Sequence, residues 1–95
     1  MTTEEMIAAN DFCAIHKIEY SFICSLEDAG LLQLVVMNEQ RFIHHNQVNE
    51  LEKMIRLYRE LDVNIAGIEV IINLLNKIEE MQEEIRVLKN KVGFL

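Results

Sequence analysis

Proline is absent from this 95-residue chain, glycine occurs three times and cysteine twice. Without proline or a glycine-serine tract there is no linker, low-complexity stretch or evident hinge, and the chain reads as one continuous architecture. Cys13 and Cys24 do not make a disulfide framework; in a reducing compartment they read as thiols acting as small core hydrophobes. No window approaches the length of apolar sequence needed to cross a bilayer. The opening MTTEEMIAAN has two acids and no basic segment before a long apolar stretch, so it does not read as a secretory signal and the expected location is cytoplasmic. Glycine-rich phosphate loops and nucleophile elbows are missing too, and no acid or base sits in an evident pocket. The expectation is a protein that is not an enzyme and uses no cofactor.

Basic residues are the next scarcity. Sixteen acids face nine Lys and Arg, a net charge of -7. Divided after residue 48, the first part has seven acids and two bases (net -5) and the second nine acids and seven bases (net -2). Such a surface repels phosphate and suits a basic protein partner. With 51% of its residues apolar, the chain is one small domain or a small domain with an extended helix, near the lower limit for a self-sufficient core, so association with a second chain is expected.

What is present is periodic. Asn10 is placed to cap a short helix from Asp11 to His16, which would turn Phe12, Cys13 and Ile15 to a core. After a turn at 17–19, a second helix from Tyr20 to Ala29 carries Phe22, Ile23 and Leu26 at helical spacing and stops at Gly30. Two short helices joined by a tight turn form a helix-turn-helix candidate. Leu32 to Met37 is an apolar run, Asn38-Glu39-Gln40 a polar turn and Arg41 to His44 a second extended segment, which together predict a β-hairpin. Asn46 is then placed to cap a third helix, Gln47 to Leu61, with Val48, Leu51, Ile55 and Tyr58 on one face and Met54, Leu57 and Leu61 widening it. Asn64 caps a fourth helix that accepts Gly67 in its first turn.

From Ile71 the pattern is heptad: Ile71, Ile78, Ile85 and Val92 at one position, Leu74, Met81, Leu88 and Leu95 at the other. A helix from Ile65 to Val92 spans on the order of 40 Å, more than the preceding small domain can cover. Its distal half therefore needs another helix, and a homodimer through this seam is expected. Glu79, Glu80, Glu83 and Glu84, flanked by Lys77, Lys89 and Lys91, read as the solvated face beside the seam.

The segments NDFCAIHKI, FICSLEDAGLL and LEKMIRLYRELDVNIAGIEVIINLLNKIEEMQEEI, in this order, resemble the MerR-like winged helix-turn-helix superfamily and, within it, the CbpM-like chaperone modulators. The resemblance covers nearly the whole chain. It implies a mainly α fold: a winged helix-turn-helix-like domain with a small β-hairpin wing over 1–62, continuous with a C-terminal dimerisation helix over 63–95. It further implies a bacterial regulator that binds the J-domain of a DnaJ-class co-chaperone and inhibits its stimulation of Hsp70. The alternative is a DNA-binding transcriptional regulator of the MerR type.

Charge discriminates between the two. A DNA reader needs Arg, Lys, Asn or Gln on its second helix and wing. Between Glu19 and Gly30 there are three acids and no Lys or Arg, and the wing has Arg41 as its only basic residue, so direct nucleic-acid binding is not expected. A J-domain presents a basic helix, which an acidic surface here could mask. One candidate surface is Glu27 and Asp28 on the second helix with Phe42 of the wing near them; the other is Glu52, Glu60 and Asp62 on the third helix and its exit. The bland reading of each acid is a solvated surface charge. Cys13, His16, His44 and His45 could be imagined as metal ligands, but the paired clusters of a zinc site are missing and no metal is expected.

Overall fold

The computed structural model describes residues 5–93. It is mainly helical, with one small antiparallel sheet. Strand β1 (Met6–Ala8) runs directly into helix α1 (Ala9–His16). Helix α2 (Tyr20–Asp28), strands β2 (Leu34–Met37) and β3 (Gln40–His44), helix α3 (Val48–Glu60) and helix α4 (Ile65–Val92) follow. The sheet order is β1-β3-β2, with Ile7 and Leu34 on either side of Ile43.

Strand β1 has no counterpart in the sequence reading. Three residues are too few to display a period, and the strand exists because β3 offers it an edge. Its arrival also moves the start of α1. Ala8 stands at the N-cap position and Asn10 lies inside the helix, so Asn10 is not a cap. The buried stripe of α1 is Ala9, Phe12 and Cys13, continued by half-buried His16 at the i, i+3, i+4, i+7 spacing. Ile15 falls off that stripe and is 67% exposed, a correction to its expected place in the core.

Helix α2 ends as expected. Gly30 takes φ +78°, Gly30 N–H donates to Glu27 O and Leu31 N–H to Leu26 O, each at 2.9 Å, which satisfies the last carbonyls and turns the chain toward β2. The hairpin turn is two residues, with Asn38 at φ 51° and Glu39 at φ 63°, the doubly left-handed turn whose twist matches paired strands. Gln47 fixes the entry to β2 by accepting from Gln33 N–H at 3.0 Å and donating to Gln33 O at 2.7 Å.

A short 3-10 turn, His45–Gln47, precedes α3, so Asn46 is not its cap; His44 Nδ1 accepts from Asn46 N–H at 3.2 Å. Leu51, Met54 and Ile55 of α3 are buried, whereas Leu61 at the helix end is exposed. Tyr58 stands beside Phe22 of α2, ring centroids 4.3 Å apart. Arg59 reaches back to donate to the carbonyls of His16 and Lys17, holding the end of α1 to α3. Asn64 caps α4 as expected, accepting from Gly67 N–H at 2.8 Å. The core lies where Phe12, Ile23, Leu26, Ile43, Leu51, Met54 and Ile68 meet, and α4 continues beyond it to give the molecule a long dimension of 57 Å.

Candidate partner interface

The surface that a winged helix-turn-helix protein turns to DNA is made here by α2 and the hairpin. Arg41, on the core side of β3 and near the hairpin turn, points toward α2. Its Nη1 lies 3.3 Å from Glu27 Oε1 and 3.9 Å from Cys24 Sγ. The pair is partly exposed and adds little to stability. Its consequence is for charge, because the wing's one cation is matched by a carboxylate of the helix it faces. Beside it, a cleft of about 420 Å³ is lined by Asn10, Asp11, Tyr20, Glu39, Gln40 and Arg41. Asp28 is exposed on the last turn of α2.

Phe42 does not join these acids. Ile43 and Arg41 share the core-side parity of β3, so Phe42 lies on the outer face, between its cross-strand neighbours Val35 and Ala8. The expected grouping of Glu27, Asp28 and Phe42 is thus split between opposite faces of the sheet.

The second candidate group is also not a single acidic patch. Glu52 Oε2 lies 4.0 Å from His16 Nε2, and Glu52 and Glu60 border a shallow groove shared with Arg56 and Arg59. Acids and cations alternate there. Asp62 has a backbone role at the exit of α3, where it adopts φ 53°, a left-handed conformation that Asp tolerates better than most residues.

On α4, two stripes diverge. Ile68 and Ile72 are buried against the domain, with Ile65 packed beside them. Continued along the helix, that stripe becomes Leu75, Glu79, Gln82 and Arg86, increasingly polar as it leaves the domain. The heptad stripe stays apolar throughout. Ile71 is half-buried, while Leu74, Ile78, Met81, Ile85, Leu88 and Val92 are 46% to 63% exposed. Leu95, the last expected seam residue, lies outside the described residues.

Burial, then the nearby charge of Cys24, raises the Cys13 thiol above its ordinary value, which favours its protonated form. Among the described residues no group of three or more His, Cys, Asp or Glu side chains could hold a metal ion. No described helix is long and apolar enough to cross a membrane.

A family model described as MerR HTH family regulatory protein matches residues 7–90. The chain belongs to that family. The match runs from β1 through most of α4, so it takes in the helix-turn-helix, the wing and the long helix as one unit. No curated protein and no solved structure matches the chain.

Within this MerR-family fold, the residues that sequence reasoning missed are of two kinds. Arg59 gave no signal, because its partners are backbone carbonyls more than forty positions away. The outer-face residues Val35 and Met37 did give one, since Leu34 to Met37 is continuously apolar where a strand with one solvated face alternates.

Proposed function

We propose that this MerR-family protein is a chaperone modulator: it binds the J-domain of a DnaJ-class co-chaperone and hinders that J-domain from stimulating Hsp70. The reading rests on the resemblance to CbpM-like modulators and on one structural observation. The face that would read DNA has no Lys or Arg on α2, and the wing's Arg41 is paired with Glu27 at 3.3 Å. Phosphate neutralisation supplies most non-specific DNA affinity, so such a face opposes a duplex and favours a basic protein surface.

Masking is the mechanism. The acidic N-terminal domain draws in the basic J-domain helix, apolar contacts retain it, and Hsp70 is denied the same helix. Glu27 and Asp28 contribute to the attraction, while Glu52, Glu60 and Asp62 form a weaker second candidate because Arg56 and Arg59 interrupt them. The protein acts as a homodimer through Ile71, Leu74, Ile78, Met81, Ile85, Leu88, Val92 and Leu95, with cytoplasmic location following from the partner.

The test is the Hsp70 ATPase rate with its J-domain co-chaperone, titrated with this protein, beside a gel-shift titration of duplex DNA. The expected result is suppression of the co-chaperone-stimulated rate, the basal Hsp70 rate unchanged, and no shift of DNA. Unimpaired stimulation together with a salt-sensitive DNA shift would establish the transcriptional alternative instead.

A further inference from the structure

We infer that the outer face of the three-stranded sheet is the apolar anchor for the partner, and that its occupant is an amphipathic basic helix. The inference rests on the J-domain reading above and gives that contact a location.

An antiparallel sheet packed on one side normally presents polar residues on the other. Here the core side carries Ile7, Leu34 and Ile43, and the outer side is mostly apolar as well: Met6 and Ala8 on β1, Val35 and Met37 on β2, and Phe42 in the middle of β3, with Gln40 and His44 at the two ends of that central strand. Met6, Val35, Met37 and Phe42 are each half-buried. Phe42 is central, flanked by Ala8 on one strand and Val35 on the other.

The dimensions suit a helix. Three strands about 4.8 Å apart make a face roughly 10 Å across, the diameter of an α-helix with its side chains, and strands of three to five residues run about 10 to 17 Å, two to three helical turns. Charge favours a basic occupant. Glu39 stands in the hairpin turn at one end, and at the other Glu5 Oε2 lies 3.9 Å from His44 Nε2. No Lys or Arg lies on the outer parity of any of the three strands, since Arg41 faces the core side and pairs with Glu27. A helix with an apolar stripe and basic flanks would set the stripe on Phe42, Val35 and Met37 and direct its cations to the two carboxylates.

The anchor and the α2 acids therefore divide the work. Contacts on the outer face govern how long the complex lasts, whereas Glu27 and Asp28, on the other side of the sheet, act on encounter through the long-range field.

Adjacent positions on β2 provide the test. Val35 lies on the outer face and Val36, opposite Arg41, on the core side near the turn, where it is 65% exposed. Val35→Lys and Val36→Lys make the same charge change on opposite faces. Binding of the co-chaperone's J-domain is measured by surface plasmon resonance for the wild type, these two variants, Phe42→Ser and the double reversal Glu27→Lys/Asp28→Lys, with circular dichroism reporting folding and sedimentation the oligomeric state.

Val35→Lys and Phe42→Ser are expected to weaken binding roughly tenfold or more, mainly through faster dissociation, and Val36→Lys to leave dissociation unchanged. The double reversal should instead slow association several-fold. Wild-type binding with equal loss in Val35→Lys and Val36→Lys, or no loss in either, would overturn the assignment of the face and leave the J-domain reading intact. Loss of self-association in Phe42→Ser would identify a second copy as the occupant and also overturn it. Absence of wild-type binding would remove the function and its anchor together. Should Phe42→Ser fail to fold, the two valine variants decide.

Discussion

Ile68 and Ile72, near the start of α4, are sunk in the domain, whereas Ile78 and Ile85 farther along the same helix stand half in solvent. The residue type is the same and the helix is continuous. What differs is the stripe. The buried isoleucines belong to a stripe that turns polar as the helix leaves the domain, and the exposed ones to a heptad stripe that does not. One helix thus packs on its own domain at one end and exposes an apolar heptad stripe at the other, so lesions at the two ends should separate.

The largest effect is expected from Ile68→Ala. Its side chain is fully buried, and truncation should cost about 3 kcal/mol by transfer and cavity terms, read as a lower urea midpoint. Ile85→Lys should do the opposite: by sedimentation it should abolish the self-association proposed for the wild type, with the fold of the N-terminal domain kept. A domain unfolded by Ile85→Lys would erase the distinction between the ends. Asn64→Ala removes the acceptor for Gly67 N–H where the two functions join and should cost about 1 kcal/mol, visible as a small drop in melting temperature.

The smallest effect concerns pH. The Cys13 thiol is raised above 9.0 by burial, so the folded state holds its proton more tightly than the unfolded chain. Its stabilising contribution is complete below that value and is lost as pH climbs from there through the folded value. Stability should fall slightly on the alkaline side, an effect absent in Cys13→Ala, and Cys13 should alkylate more slowly than half-buried Cys24.

The long-period features were legible in the sequence. The 28-residue α4, its Asn64 cap, the Gly30 stop and the hairpin all carry local signals, and each stands where its residues put it, except that the hairpin turn is Asn38-Glu39 alone and Gln40, expected in the turn, already pairs with Met37. What depended on tertiary partners was not legible. Strand β1 forms on an edge supplied by residues 42–44, and this displaces the cap expected at Asn10. Asn46 loses its expected capping position to a 3-10 turn held by His44. The candidate interface failed in one instructive respect: Phe42 lies close in sequence to Arg41, which pairs with Glu27, yet strand parity sends Phe42 to the opposite face. A two-residue period read from Ile43 would have separated them, had the register of β3 been known.

Charge is the thread linking fold to function, because a MerR-family scaffold with an acidic reading face should prefer a basic protein to a duplex. The most direct measurement is a calorimetric titration of the purified protein with the J-domain of its host's DnaJ-class co-chaperone at low and high salt. Saturable binding that weakens as salt rises is the predicted result. No heat of binding at either salt would contradict the account.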